Sequence, residues 1–142
     1  MFKCPVAVRF HEADFRGILF FGRILQLAHE VYEDFVVAEL GVAWDEWFSA
    51  PEWLVPIKHA EATFHRPLRP GRRFEAEAGI GRLSDSSFEL VIRFFDVDGP
   101  SRELCAETRT IHVFVDSAFR KTPIPAAVRA RLEPHVILEA AD

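Results

Sequence analysis

The chain has 142 residues and a formal net charge of -5, and its aromatic residues are 14 Phe and 3 Trp against 1 Tyr. This length suits one domain, so we expect residues 1–142 to fold as a single unit. The acidic balance excludes a general basic surface for a nucleic acid, and no segment approaches the ~18 apolar residues of a membrane span, so we expect neither partner.

The first half of the chain predicts one strand and one long helix. Alternating residues at 6–10 predict the strand, and a polar turn follows over 11–17. Apolar residues recur at helical spacing over 22–40, and Gly41 supplies the stop. The apolar face of this helix is wider than a narrow stripe, which indicates cover on more than one side. Residues 42–49 predict a further short turn of helix.

The second half predicts four strands. They lie at 54–64, 74–83, 88–97 and 103–115, with turn sequences between them, and we interpret them as a consecutive antiparallel meander. Residues 126–132 predict a short closing helix. One long helix and a run of antiparallel strands give an α+β fold, with the sheet wrapped around the central helix.

The densest polar cluster lies between the first strand and the long helix, at residues 11–17. We expect one of its two acids, Glu12 and Asp14, to face the interior and the other to be solvated. Asp14 is closer to Gly17 and to the helix, so we take Asp14 as the inward one. The alternative is that both acids solvate a turn, where Asp is among the commonest residues.

The long helix is entered without a Ser, Thr, Asp or Asn that would cap it. Its first N–H groups therefore lack the usual side-chain acceptor, and free amides at a positive helix end suit an anion or a polarised carbonyl. With a carboxylate nearby, they supply two parts of an acyl-transfer site, a base or nucleophile and donors for an oxyanion. The alternative is that Gly22 caps the helix and water satisfies the amides.

Other polar residues give weaker signals. His29 is interpreted as a surface or satisfied helical histidine, and His112, in a strand of core-type residues, as structural. His59 lines either a cleft or the solvent face. Arg120 and Lys121 are either phosphate ligands or a solvated basic turn. The histidines and cysteines show no zinc-ligand spacing and the glycines no dinucleotide fingerprint, so we expect no metal and no redox cofactor.

Two cysteines far apart in the chain, Cys4 and Cys105, indicate no disulfide framework. A reducing cytoplasm suits them best. The first residues lead directly into alternating sequence rather than into an apolar signal core. We therefore expect a soluble protein that is not exported.

A longer motif joins the polar cluster to the helix. Residues 8–21 read Val-Arg-Phe-His-Glu-Ala-Asp-Phe-Arg-Gly-Ile-Leu-Phe-Phe, and residues 23–30 read Arg-Ile-Leu-Gln-Leu-Ala-His-Glu. This motif resembles the opening of the hotdog-fold thioesterases of the 4-hydroxybenzoyl-CoA type. Within that family the chain is most similar to the 1,4-dihydroxy-2-naphthoyl-CoA thioesterases, through residues 25–33, 54–60 and 120–125. The resemblance spans almost the whole chain and implies the hotdog fold.

The resemblance also implies residue roles. Asp14 takes the position of the catalytic aspartate, the amide of Phe21 would polarise the thioester carbonyl, and Gly17 would shape the approach. The chain departs from the family by having Glu12 where Asp is common. Its turn at residues 84–87 lacks the basic residues that some relatives present to the nucleotide, so Arg120 and Lys121 are assigned to coenzyme A instead.

The family fold implies a homodimer or a homotetramer with the acyl pocket between subunits. Apolar aromatic residues are assigned to its walls, namely Phe20, Phe21, Trp53 and Phe64, with His59 as a further substrate contact. Phe10 and Phe35 are assigned to the core between sheet and helix.

The reaction implied by the resemblance is hydrolysis of an acyl-CoA, most simply an aromatic one, to the free acid and coenzyme A without a cofactor. One alternative is a thioesterase for fatty acyl-CoA or for acyl carrier protein. Another is a hotdog hydratase or dehydratase, although its His-x-Pro-x-x-Pro-Gly-like segment is missing from the sequence. A catalytically idle acyl-binding dimer is a third.

Overall fold

The computed structural model describes residues 1–49 and 53–137. Within them, one long helix packs against a five-stranded antiparallel sheet, which confirms the predicted α+β layout. The strands are β1 (Phe2–Ala7), β2 (Ile57–Phe64), β3 (Arg73–Leu83), β4 (Ser87–Asp96) and β5 (Glu103–Val113).

The order of strands across the sheet is β1-β3-β4-β5-β2, so the prediction of a consecutive meander is wrong. Strands β3, β4 and β5 do follow one another, but β2 pairs with β5, from Ile57 opposite His112 to Phe64 opposite Ala106. Alternation along a strand indicates which side chains are buried and carries no information on which strand lies beside it. The crossover leaves β1 and β2 as the two edges.

The first strand lies earlier than the sequence predicted. It spans Phe2–Ala7 and pairs with β3, whereas Phe10 begins a 3-10 turn that ends at Glu12. Phe10 is 91% exposed, so its assignment to the core is wrong. Phe35 is fully buried on the long helix, as predicted.

The long helix α1 spans Ile24–Glu39 and is entered through a 3-10 turn at Phe21–Arg23. Its buried residues recur at spacings of three and four and meet the sheet in one apolar core, as expected for an amphipathic helix. Gly41 has φ +62°, a conformation that suits glycine and ends the helix where the sequence predicted.

Two shorter helices complete the described chain. They are α2 (Trp44–Phe48) and α3 (Ala126–Leu132), and both lie within the predicted segments. None of the helices in residues 1–49 and 53–137 combines the length and apolarity needed to cross a membrane.

Candidate active site

Backbone hydrogen bonds close the polar segment before α1 into a compact loop. The N–H of Phe20 donates to the carbonyl of Glu12 (2.9 Å), and the N–H of Asp14 donates to the carbonyl of Ile18 (2.8 Å). At the tip, Gly17 donates to the carbonyl of Asp14 (3.0 Å) with φ +78°, where a side chain would be strained. The loop, residues 12–20, thus brings Glu12 beside the start of α1 and holds Asp14 opposite Ile18.

The structure encloses both acids, where the sequence predicted that one would be solvated. Glu12 is 7% exposed, accepts the N–H of Arg9 (2.8 Å) and pairs with the guanidinium of Arg23 (3.1 Å), so the expectation that it would be the solvated acid is wrong. The Asp14 side chain is 11% exposed and lies beside Arg16, whose own side chain is 64% exposed. The sequence did not reveal the burial of Glu12 because its partner, Arg23, lies eleven positions away in the 3-10 turn that precedes α1.

Asp14 is held by its neighbour Arg16. The guanidinium of Arg16 donates to Oδ2 of Asp14 (2.7 Å and 3.2 Å), and the backbone N–H of Arg16 donates to Oδ1 (2.8 Å). These hydrogen bonds, chiefly those from the side chain of Arg16, lower the pKa of Asp14 below its ordinary value. The carboxylate is therefore ionised at neutral pH, as a nucleophile or a base must be.

The start of α1 has no side-chain cap, as predicted. Neither Phe20, which precedes the 3-10 turn, nor Arg23, which precedes α1, makes a side-chain cap hydrogen bond. In residues 1–49 and 53–137, the N–H groups of Phe21 and Gly22 have no backbone acceptor, while the N–H of Arg23 donates to the carbonyl of Phe20 (2.9 Å). Two donors at the positive end of a helix thus remain available to a ligand oxygen.

A mostly apolar cleft of about 390 Å³ lies beside this helix start. Phe21, Ile18 and Arg16 line it from the loop and the helix start, and Phe64, at the end of β2, and residues 65–68 after it line the other side. Because Arg16 contacts Asp14 directly, the cleft is one side chain away from the carboxylate. The structure therefore places Asp14, Gly17 and Phe21 in one region.

The predicted substrate contacts are distributed over three regions. Phe20 is 49% exposed and lies against Phe21 with ring centroids 4.9 Å apart. His59 is an exposed residue of β2, with Nε2 3.6 Å from a carboxylate oxygen of Glu61.

Arg120 and Lys121 lie in a turn after β5. The N–H of Asp116 donates to the carbonyl of Arg120 (2.8 Å), and Lys121 is bridged to Val115. In the part of the chain that the structure describes, these contacts lie within the turn rather than with the loop of Asp14. The adjacent Phe119 reaches a second cleft of about 510 Å³, which Trp53 and residues of α1 and α2 also line.

A third, smaller cavity of about 230 Å³ lies between α1 and the strands β2 and β5. It shares His29, Tyr32 and Ile57 with the second cleft. Its wall includes Thr110 and His112, polar residues on the helix-facing side of β5. The sequence indicated only a structural role for His112 and did not reveal this cavity. The available signal was the alternation of β5, which places polar residues where an apolar one is expected.

The family of thioesterase-like proteins matches this chain. A family model described as "Thioesterase-like superfamily" matches residues 8–132. A 1,4-dihydroxy-2-naphthoyl-CoA hydrolase of Thermosynechococcus vestitus is 33% identical over 127 residues, which is 89% of this chain and 84% of that protein. A protein of the same name from Rippkaea orientalis is 32% identical over 118 residues, covering 82% of this chain and 84% of the relative.

Solved structures agree with the predicted hotdog fold. A 1,4-dihydroxy-2-naphthoyl-CoA thioesterase from Synechocystis superposes with a TM-score of 0.82 at 24% identity, covering 92% of this chain and 94% of the other. A gentisyl-coenzyme A thioesterase gives a TM-score of 0.78 at 25% identity, covering 92% of this chain and 98% of the other. The residues matched by the family model, 8–132, include the loop, α1 and strands β2 to β5.

Proposed function

This chain belongs to the thioesterase-like superfamily, and from that premise we propose that it hydrolyses the thioester bond of an aromatic acyl-CoA to the free acid and coenzyme A. The observation that carries the proposal is an ionised Asp14 in the loop that leads directly into the open amides of Phe21 and Gly22 at the start of α1. The relatives named as hydrolases of 1,4-dihydroxy-2-naphthoyl-CoA support an aromatic acyl group.

The proposed chemistry is acyl transfer to water. The carboxylate of Asp14 either attacks the thioester carbon directly or takes a proton from the attacking water, and both routes require the ionised form that Arg16 favours. Negative charge then develops on the carbonyl oxygen, which the N–H of Phe21 stabilises. The C–S bond then breaks and the sulfur leaves as the thiol, protonated by solvent or by the proton that Asp14 has taken from water. On the direct route, water next cleaves the mixed anhydride formed with Asp14, which releases the free acid and regenerates the carboxylate. A backbone N–H that donates to the oxyanion, as proposed for Phe21, typically contributes about 10²–10³ in rate. No metal or redox cofactor takes part in these steps.

Gly17 contributes through the backbone. Its left-handed conformation closes the tip of the loop, and its N–H donates to the carbonyl of Asp14, so the turn determines the orientation of that residue. A Cβ added at this position would meet no atom within 4 Å, so the need for glycine is conformational rather than steric. The role proposed for Gly17 is therefore to place the carboxylate against the helix start.

Substrate binding is assigned to the surfaces around this region. The cleft beside Phe21 and Phe64 takes apolar parts of the thioester, with Phe20 beside it. Arg120 and Lys121 bind phosphates of coenzyme A at the turn that carries Phe119, and His59 lies on the edge strand between these regions. Charge complementarity with a polyanionic nucleotide supports the two basic residues.

We further propose that the protein is a homodimer that pairs through β2, with a homotetramer as a higher assembly of such dimers. Nearly every residue of β2 is exposed, including the apolar side chains of Ile57 and Phe64. The N–H of His65, just after β2, donates to the carbonyl of Cys105 in β5 (2.7 Å). By the alternation of an antiparallel pair, the N–H of Ala62 then points to the open edge. The other edge, β1, carries Pro5, which lacks a donor there.

Pairing of two β2 strands would bring the cleft of one copy beside residues of the other, which is why the site is proposed to lie between subunits. Ala62→Pro removes an edge donor without removing a bond to β5, and Ala62→Val retains that donor. The mass in solution, measured by light scattering, should fall to that of a monomer for the proline variant alone. A proline variant that remains dimeric would refute pairing through β2.

A reducing cytoplasm is the proposed compartment. Neither Cys4 nor Cys105 is in a disulfide, as expected for that environment.

The decisive experiment is a hydrolysis panel. Benzoyl-, naphthoyl- and alkanoyl-CoA are each incubated with the protein, and released thiol is measured. We expect the aromatic substrates to give the highest kcat/KM, and Asp14→Asn to lower it by about 10² or more. Asp45→Asn, an exposed acid on α2, is the matched control and should leave the rate unchanged.

Each other outcome identifies a different function. Preference for alkanoyl-CoA would indicate a fatty acyl thioesterase, and cleavage of acyl carrier protein alone would move the substrate to that partner. Binding of acyl-CoA without thiol release would indicate an acyl-binding protein. Full activity of a folded Asp14→Asn variant would refute the proposed mechanism.

A further inference from the structure

The cavity between α1 and the sheet lies on the helix face that begins at the proposed oxyanion donor. Leu25, Ala28 and Tyr32 line it and follow Phe21 at spacings of four, three and four residues, which places them on one side of the helix. The strands β2 and β5 close the opposite side. We call this space, of about 230 Å³, the chamber. A cavity of roughly 150 Å³ holds a benzene molecule, so the chamber is large enough for an aromatic ring.

The polar residues of the chamber wall include His29, on α1, and one buried pair on β5. His112 is 1% exposed, and its Nε2 lies 2.8 Å from Oγ1 of Thr110, which also lines the chamber. The imidazole ring is stacked on Phe88, with centroids 4.8 Å apart and planes 1° from parallel. Its centroid also lies 4.4 Å from the ring centroid of Tyr32. These contacts fix the ring, as a recognition group requires.

His112 has unused hydrogen-bonding capacity. Its Nδ1 is buried and has no partner among the residues that the structure describes. Burial lowers the pKa of His112 to about 3, so the ring is neutral at physiological pH, with one N–H and one lone pair. A buried polar atom without a partner is costly and rare in native proteins, so each instance requires an explanation.

The chemistry of the pair selects one kind of partner. A hydroxyl group both donates and accepts, so it complements either tautomer of His112 and also the hydroxyl of Thr110. A carboxylate or phosphate only accepts, and burying it beside the neutral imidazole of His112 leaves its charge unpaired there. The other imidazole of the wall, His29, already faces a carboxylate, since its Nδ1 lies 3.2 Å from Oε2 of Glu33. A hydroxyl on an aromatic ring thus satisfies both the apolar walls and the polar pair.

We propose that the chamber holds the aromatic ring of the acyl group and that His112, supported by Thr110, hydrogen-bonds a hydroxyl substituent on that ring. This inference rests on the proposed thioesterase function and adds to it a specificity-determining residue. A ring without the hydroxyl would leave the buried pair unsatisfied, which disfavours it as a substrate.

The test compares matched substrates in matched variants. Benzoyl-CoA and 4-hydroxybenzoyl-CoA differ by one hydroxyl, as do 2-naphthoyl-CoA and 1-hydroxy-2-naphthoyl-CoA. The unmodified protein should prefer the hydroxylated member of at least one pair by roughly ten- to hundredfold in kcat/KM. His112→Phe retains the ring stack without the nitrogens and should reduce that preference to about threefold or less. Thr110→Val should reduce it partly.

The control is Thr108→Val, on the same strand. Thr108 is also buried, and its hydroxyl has no partner among the described residues, but it is not part of the chamber wall. This variant should retain the full preference. Equal preference in the unmodified protein and in His112→Phe, or none in the unmodified protein, would overturn the inference while leaving thioester hydrolysis intact.

A binding measurement separates the inference from the proposed function. 2-Naphthol has a ring and a hydroxyl but no thioester, so its binding does not depend on catalysis. Its titration should shift the side-chain 15N resonances of His112, whereas naphthalene at the same concentration should shift them less. If no acyl-CoA is hydrolysed, the proposed function fails, and this titration still decides whether the chamber recognises a hydroxyl. Equal shifts from both ligands would refute the recognition.

Discussion

The loop before α1 and the chamber beside α1 hold their polar groups under opposite conditions. In the loop, Asp14 is charged, and a cation from the same loop, Arg16, accompanies it at the surface. In the chamber, His112 is neutral and sealed among aromatic rings. The contrast teaches that one helix can serve two tasks. A charged group, for which we propose catalysis, lies in the loop that leads into its start, and a neutral group, for which we propose recognition, lies beside its side.

The largest expected effect is the difference in unfolding free energy between a substitution in the core and one in the loop. Phe35 is fully buried, whereas Phe15 on the loop is 97% exposed. Phe35→Ala should lower the free energy of unfolding by about 3–5 kcal/mol, since it removes a ring and leaves a cavity. Phe15→Ala, its control, should change it by at most about 0.5 kcal/mol. Urea denaturation measures both, and equal effects would contradict the contrast.

The second prediction concerns the acid that ties the loop to the helix. Glu12→Gln removes the charge that pairs with Arg23 and weakens the bond to the N–H of Arg9, which should cost about 1–3 kcal/mol in unfolding free energy. We also expect kcat to fall. The backbone carbonyl of Glu12 accepts the N–H of Phe20, so a displaced Glu12 would shift the neighbouring amide of Phe21. Glu46→Gln, on the exposed side of α2, is the control. A variant as stable as the control would mean that the pair contributes nothing.

The third prediction compares two glycines in the same conformation. Gly17 has φ +78° and Gly71 has φ +85°, and a Cβ added at either would meet no atom within 4 Å. Alanine at either position should cost roughly 1–2 kcal/mol of stability through the left-handed backbone alone. Only Gly17→Ala should also lower kcat, because only that turn carries Asp14. Stability is read from thermal unfolding and kcat from thiol release, and equal losses of kcat would refute the role of Gly17.

The smallest effect is a displacement of the pH profile. Arg16 lowers the pKa of Asp14, so the ionised carboxylate persists to lower pH. Its contribution to stability is present above the unfolded-state pKa and is lost as the pH falls through the folded-state pKa. Arg16→Ala should therefore move the acid limb of kcat/KM to higher pH. An acid limb that stays in place would exclude Asp14 as the group that titrates.

Much of the fold was predictable because helices and strands have distinct periods. The spacing of apolar residues located α1 and the four later strands, and Gly41 marked the end of the helix. Partners were not predictable in the same way. Nothing in the alternation of residues 57–64 indicates that this strand lies beside β5 rather than β3, since alternation shows which side chains share a face and not which strand is the neighbour.

The candidate site was predictable where the backbone determines it. Asp14, Gly17 and Phe21 lie within eight residues of one another, so a short loop suffices to bring them together. Glu12 was misjudged because its burial depends on Arg23 and on the packing of α1. His112 was overlooked because a single histidine in a strand becomes informative only when the space beside it is known.

The strand order has a further consequence for synthesis of the chain on the ribosome. Strand β2 emerges early, yet its neighbour β5 is completed only when residue 113 has been made, and β1 likewise waits for β3. Both edge strands are therefore translated before the strands that cover them. Pairings so distant in sequence slow folding and prolong the exposure of unpaired strands. The nascent protein is thus most vulnerable to aggregation in the interval between translation of β2 and of β5.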